Sequence, residues 1–213
     1  MITPGLRPGP ANGPLLLADI SGYTAFLGGV MEAHRDDAFA DGNIPDAYLM
    51  MSALLDGILD RISPPFTLAK LEGDAVFACA TDTAGVPHGE ALLGCIDACY
   101  ADFRARLDKA HEIWTCTCGS CARVDTLDLK FVLHAGTFFV HPIAGNLELA
   151  GPEVVLAHRL LKNGATAAIG SSAYVLLTDA AARALDVDTT AAVPLVEEVD
   201  GAPVGAHVFP LRV

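Results

Sequence analysis

Basic side chains are scarce in this sequence, with 13 Lys and Arg set against 26 Asp and Glu in 213 residues for a formal charge of −13. Proteins that hold nucleic acid do so with clustered cations on the phosphate backbone, and adsorption to anionic lipid draws on the same cations. Neither partner is therefore expected. Long apolar runs are lacking too. The apolar fraction of 52% and mean hydropathy of +0.42 would suit a membrane protein, yet nothing approaches the roughly 20 consecutive apolar residues of a spanning helix. The best stretch, Tyr48 to Ile62, is broken by Asp56, Asp60 and Arg61 and reads as a buried helix. Met1 to Pro14 is rich in Pro and Gly and has no apolar segment of signal-peptide type, which predicts a cytoplasmic protein. No internal repeat or low-complexity tract divides the chain. The expected organisation is a flexible arm over 1–13 and one domain over 14–213, with a Cys-rich loop at 114–123.

What is present is a set of short apolar runs separated by turns. Leu15 to Ala18 reads as a central strand, ended at Asp19, and Ser21 or Asp19 would cap the helix that follows. Asp36 to Asn43 reads as an acidic loop. Pro45 opens a helix whose apolar positions run from Tyr48 to Ile62 and stop at Pro64-Pro65. Phe66 to Leu71 and Ala75 to Cys79 flank Glu72-Gly73-Asp74 as a hairpin. A second amphipathic helix is predicted over His88 to His111, with Leu92, Ile96 or Cys95, Cys99, Phe103 and Leu107 on its buried stripe. Leu127 to Val140 reads as a long strand and a short one ends near Leu149. A helix from Gly151-Pro152 to Lys162 closes at Asn163-Gly164, short helices occupy Ser172 to Leu185, and Val193 to Val199 and Ala206 to Leu211 are terminal strands. Hairpins interspersed with helices predict an α+β sandwich, its helices packed on a largely antiparallel sheet.

Six cysteines in a reducing compartment are not expected to form disulfides. Cys116, Cys118 and Cys121 are crowded together, and with His111 upstream they offer four soft ligands for a tetrahedral structural zinc, Cys99 being a substitute for His111. The alternative is a loop with three reduced thiols. Trp114, the single tryptophan, is expected to pack that loop down. Cys95 and Cys99 otherwise read as core. His134 reads as a hydrogen-bonded core residue and His34 as exposed, while His158 faces either the site or solvent.

Asp19 and Asp74 each end an apolar strand, and a sheet that pairs these strands would bring two carboxylates together as a hard oxygen site for magnesium or manganese. Each also has a plainer reading, Asp19 as a helix cap and Asp74 as a turn residue. The context adds weight to the metal reading. Leu17-Ala18-Asp19-Ile20-Ser21-Gly22-Tyr23-Thr24, Lys70-Leu71-Glu72-Gly73-Asp74-Ala75, Phe131-Val132-Leu133-His134-Ala135-Gly136, and the glycine-led helix from Gly151 to Leu160 resemble, in order and spacing, four motifs of the class III adenylate/guanylate cyclase catalytic domains. The branch they most resemble is a group of bacterial cyclase-like proteins without an assigned activity. The resemblance implies a ferredoxin-like nucleotide cyclase sandwich in which Asp19, Asp74 and the Ile20 carbonyl bind two Mg2+ or Mn2+ ions. It implies that Ser21, Gly22, Tyr23 and Thr24 form a helix start facing the β- and γ-phosphates, that Lys70 and Glu148 read a purine base, and that Arg159 stabilises the transition state. The implied reaction converts a purine nucleoside triphosphate, ATP in preference to GTP, to the 3′,5′-cyclic nucleotide plus pyrophosphate across a head-to-tail homodimer. Three features depart from the family, one being the connection from Pro142 to Leu147, which lacks the basic residue that some members place there. Val155 stands where the ribose-orienting Asn is expected, and no Lys occurs near the C-terminus to hold phosphate. One lost donor typically costs two to three orders of magnitude in rate. The alternative function is thus a catalytically inactive module of the same fold that binds a nucleotide, another small ligand or a protein partner.

Overall fold

The computed structural model describes residues 6–36, 46–114, 116 and 118–212. Eight strands form one sheet in the order β2-β3-β1-β4-β6-β8-β7, with β5 paired to β4 off that path. These are β1 (Gly9–Ser21), β2 (Thr67–Glu72), β3 (Ala75–Cys79), β4 (Asp128–Ile143), β5 (Asn146–Ala150), β6 (Tyr174–Thr178), β7 (Val193–Val199) and β8 (Ala202–Pro210). All pairings are antiparallel except β4 with β6. The helices are α1 (Tyr23–Ala33), α2 (Asp46–Ile62), α3 (Gly89–Ile113), α4 (Pro152–Arg159), α5 (Ala165–Ile169) and α6 (Asp179–Ala184), with a 3-10 helix over Cys121–Thr126.

Both faces of the sheet are covered, which explains why the central strands are continuous apolar runs instead of alternating ones. Leu16, Ala18 and Ile20 of β1 pack under α1, α2, α3 and α6, in one core with Phe26, Leu54, Phe103 and Phe131. Leu15 and Leu17 point the other way, into a second core with Phe77, Val132, Ala157 and Ala165 beneath α4 and α5. The expected α+β sandwich is thus the observed one.

Several details differ from expectation. Gly9 to Gly13, expected as flexible arm, pair with Val140 to Gly136 as the first part of β1. The free edge of β4 supplies a partner that local composition could not reveal. Tyr174 to Thr178 is a strand, not helix, all of it buried. A five-residue strand enclosed on both faces has no period to show, and it is followed directly by the helical α6. Gly164 does not close α4 but starts α5, at φ −85°, and Asn163 bridges the two helices by donating to Leu160 O at 2.7 Å and accepting from Ala165 N at 2.8 Å. Cys95 is exposed while Ile96 and Cys99 are buried, which resolves the stripe of α3. The expected acidic loop lies, beyond Asp36, outside the described residues, as do Pro45 and Met1 to Gly5.

Candidate functional site

Register places the first group of site residues. Asp19 in β1 lies opposite Ala75 in β3, so Asp74, one residue earlier in the hairpin turn, comes beside it, and Ile20 N donates to the Asp74 carbonyl at 3.2 Å. The two carboxylates share a charged neighbourhood. Burial, and then the charge of Asp19, push the Asp74 carboxyl above its ordinary range, against a backbone hydrogen bond and Lys130, which lower it. Lys130 lies directly opposite Asp19 in β4 and holds its Oδ2 at 2.8 Å. Only the antiparallel register of two central strands reveals this lysine, since 111 positions separate it from Asp19 in the chain.

The helix start beside this pair is built differently from expectation. Neither Ser21 nor Asp19 caps α1. Ser21 ends β1, and the cap is Gly22 at φ +88°, with no side chain accepting from the first turn. That backbone conformation is costly for any residue with a Cβ, and it leaves N–H groups of the first turn without a side-chain acceptor. Tyr23 is half-buried at the helix start, its phenol pushed up by burial and by the charge of Asp74.

A second group gathers elsewhere. Lys70, Glu72, Val155, His158, Arg159 and Lys162 line an open cleft of 590 Å³ between β2 and α4, and neither Asp19 nor Asp74 lines it. Glu72 binds Lys70 at 2.7 Å and lies 2.9 Å from His158 Nε2, so His158 faces this cleft. Arg159 pairs with Asp200 of the β7–β8 turn. Val155 is 50% exposed and offers no donor. Glu148, half-buried on β5 opposite His141, is not among the cleft-lining residues.

The His-x-Gly motif has a structural role. His134 Nδ1 lies 2.9 Å from Thr178 Oγ1 and Nε2 lies 2.5 Å from Glu153 Oε2. Thr178 Oγ1 already accepts from Ala181 N as the cap of α6. The Glu153 carboxylate can only accept, so the ring donates from Nε2 to it, while Nδ1 faces the Thr178 hydroxyl, which can accept or donate. Gly136 leaves the room through which Glu153 reaches the ring, since a Cβ there would lie 2.7 Å from Glu153 Cγ. His134 thus fastens α4 and α6 to β4.

The cysteine triplet meets a histidine, but not the expected one. His34 at the C-terminal cap of α1 brings Nε2 to 3.3 Å from Cys118 Sγ, 3.4 Å from Cys116 Sγ and 3.8 Å from Cys121 Sγ. His111 is exposed on the last turn of α3 and Cys99 is 1% exposed in the core, so neither joins the group. His34 is half-buried, not exposed, because this cluster closes over it. No spacing rule links residues so far apart; only the packing of α1 against the 3-10 helix does. Trp114 stacks on Phe26 of α1, with ring centroids 6.3 Å apart.

Residues 51–169 match the family described as "Protein of unknown function (DUF2652)". The uncharacterized protein Rv2561/Rv2562 of Mycobacterium tuberculosis is 35% identical over 155 residues, 71% of this chain and 68% of that one. The chain belongs to the DUF2652 family. As a DUF2652 protein it has the fold of class III nucleotide cyclase catalytic domains. It superposes on the guanylyl cyclase Cya2 with a TM-score of 0.67 at 12% identity, covering 97% of this chain and 96% of the other. With the adenylyl cyclase CyaB from P. aeruginosa the TM-score is 0.64 at 15% identity, over 97% and 98% of the two chains. Among the described residues no helix of this DUF2652 protein is long and apolar enough to cross a membrane.

Proposed function

We propose that this nucleotide cyclase-like module binds a purine nucleoside triphosphate together with Mg2+ or Mn2+, in sites shared between the two chains of a head-to-tail homodimer. The observation that carries the reading is the meeting of Asp19 and Asp74 beside an uncapped helix start. The residues fit a divalent ion: two carboxylates and a neighbouring backbone carbonyl are hard oxygen donors, and burial together with Asp19 already disfavours the Asp74 anion, a penalty that bound positive charge relieves. Such ions supply charge neutralisation and acidify a ribose 3′-hydroxyl. The chain itself supplies the N–H groups of Gly22, Tyr23 and Thr24 for phosphate oxygens. Lys130, released from Asp19 as cation charge arrives, gives a nearby ammonium in a chain that lacks the C-terminal Lys.

The separation of the two groups of residues supports the dimer. Lys70, Val155 and Arg159 share one cleft that Asp19 and Asp74 do not line. A head-to-tail partner brings Lys70, Glu148 and Arg159 of one chain to the carboxylates of the other. Val155, 50% exposed, lies among these residues and would be covered by it. In that arrangement Lys70 and Glu148 read the base, with ATP favoured over GTP.

Val155 favours a second reading of the same site, binding without turnover. An apolar side chain there cannot orient the ribose, and Arg159 is engaged by Asp200. The test is calorimetric titration with ATP and GTP, with and without Mg2+ or Mn2+, followed by chromatographic assay for cyclic product. Metal-dependent binding that disappears in Asp74→Asn is expected. Equal binding by the variant, or none by the parent chain, overturns the proposal. Cyclic product above the Asp74→Asn background identifies a cyclase, and product that appears only in Val155→Asn identifies a binding module with an otherwise intact site.

A further inference from the structure

We infer that His34, Cys116, Cys118 and Cys121 form a structural zinc site that fastens the C-terminal end of α1 to the segment joining α3 and β4. The inference rests on geometry that hydrogen bonding does not account for. Three sulfurs from separate positions converge on a single imidazole nitrogen, at 3.3, 3.4 and 3.8 Å. All four ligand atoms lie within 4.8 Å of one another. One ring nitrogen makes one in-plane hydrogen bond, which leaves the approach of the other two thiols unexplained. A tetrahedral ion explains all three. With Zn–N near 2.0 Å and Zn–S near 2.3 Å, nitrogen and sulfur on a common zinc are about 3.5 Å apart, the middle of the observed range.

The ligand chemistry selects zinc over harder ions. Three thiolates and an imidazole form a soft set with no carboxylate among them, so magnesium, manganese and calcium are disfavoured. Four protein ligands close the tetrahedron and leave no position for substrate, which marks the site as structural. Cys121 begins the 3-10 helix and its N–H donates to Cys118 Sγ at 3.3 Å. This is the kind of supporting bond that holds a thiolate in place.

The surroundings show why a crosslink belongs here. Three features press α1 onto the α3–β4 segment: His34 at its last turn, Phe26 stacked on Trp114, and Gly29, where a Cβ would fall 2.6 Å from Ser120 Oγ. The same helix begins at Gly22, beside Asp19. Zinc at one end would therefore hold the other end against the carboxylates, although the metal assignment itself stands apart from any nucleotide reading.

The test is elemental analysis of the full chain purified without chelator, beside titration of its thiols before and after a mercurial reagent. About one zinc per chain is expected, released with the mercurial. The paired variant Cys118→Ser/Cys121→Ser should lose the metal, His34→Ala should yield it to a competing chelator at least about tenfold more readily, and His111→Ala should keep it. Because cysteine variants can fail to fold, the parent chain is also loaded with Co2+. Thiolate charge-transfer and tetrahedral d–d bands, altered by His34→Ala, support the site. Protein free of zinc with the three cluster thiols titrating freely in addition to the exposed Cys95, an octahedral cobalt spectrum, or loss of zinc from His111→Ala but not His34→Ala overturns it. Asp74→Asn should keep its zinc, so failure of nucleotide binding and failure of the zinc site are read separately.

Discussion

At the scale of single residues, charge and burial conflict at Asp74. Its carboxyl is raised by burial and then by Asp19, so the folded chain retains a proton at pH values where the unfolded chain has lost it. The linkage has a definite sign. Stability contributed by this group falls as pH rises from the ordinary carboxylate range through the raised value, and is not regained above it. Asp74→Asn should therefore raise the melting temperature of the metal-free protein near neutral pH while weakening Mn2+ binding by more than about tenfold, both readable in one thermal-shift series. Metal binding should also fade on acidification at a higher pH than an ordinary aspartate would give. His134 behaves differently. His134→Ala leaves Glu153 and Thr178 without their ring partner, and an equilibrium urea titration should show a loss of about 2 kcal/mol. A loss under about 0.5 kcal/mol would mean that the ring does not fasten α4 and α6.

At the scale of elements, β1 joins the legible and the illegible. Its apolar half, Leu15 to Ala18, is plain in the sequence because a strand covered on both faces is a continuous hydrophobic run. Its polar half, Gly9 to Pro14, is strand only because β4 extends alongside it. Gly13 sits where the chain passes the backbone of Ala80, and a Cβ would run into the Ala80 carbonyl oxygen. Gly13→Ala should cost about 1 to 3 kcal/mol in a denaturant titration, with no change in metal binding by the chain that remains folded; a neutral effect would show that this half of β1 is not held. β6 was hidden for the opposite reason, being too short and too buried to carry a period. The hairpin of β2 and β3 and the stripes of α2 and α3 were legible because each has one long amphipathic or turn-bounded pattern.

At the scale of the whole molecule, the charge of −13 sets the terms of ligand binding. A triphosphate approaching so acidic a chain is repelled unless cations accompany it, so nucleotide affinity should depend steeply on divalent metal. The proposed shared site makes a further prediction about assembly. Asp74→Asn damages the metal half and Lys70→Ala the base-reading half in the cleft, and each variant alone should lack complete sites. Mixed and allowed to exchange, half of the dimers carry one intact and one doubly damaged site, so about a quarter of the parental site number should return. The measurement is metal-dependent nucleotide binding against mixing ratio. No recovery, with subunit exchange verified by mass spectrometry, would remove the head-to-tail arrangement.

The sequence by itself determined the sandwich of helices on a mostly antiparallel sheet, through local periodicity and turn signals, and its four ordered motifs carried the resemblance that implied Asp19 beside Asp74. Only the tertiary structure decided which histidine joins the cysteines, that Lys130 neutralises Asp19, and that Lys70 and Arg159 occupy a cleft apart from the carboxylates. Those facts depend on contacts between distant segments. Such contacts are set by strand register and by how a helix lies on the sheet, and neither leaves a local spacing for the chain to display.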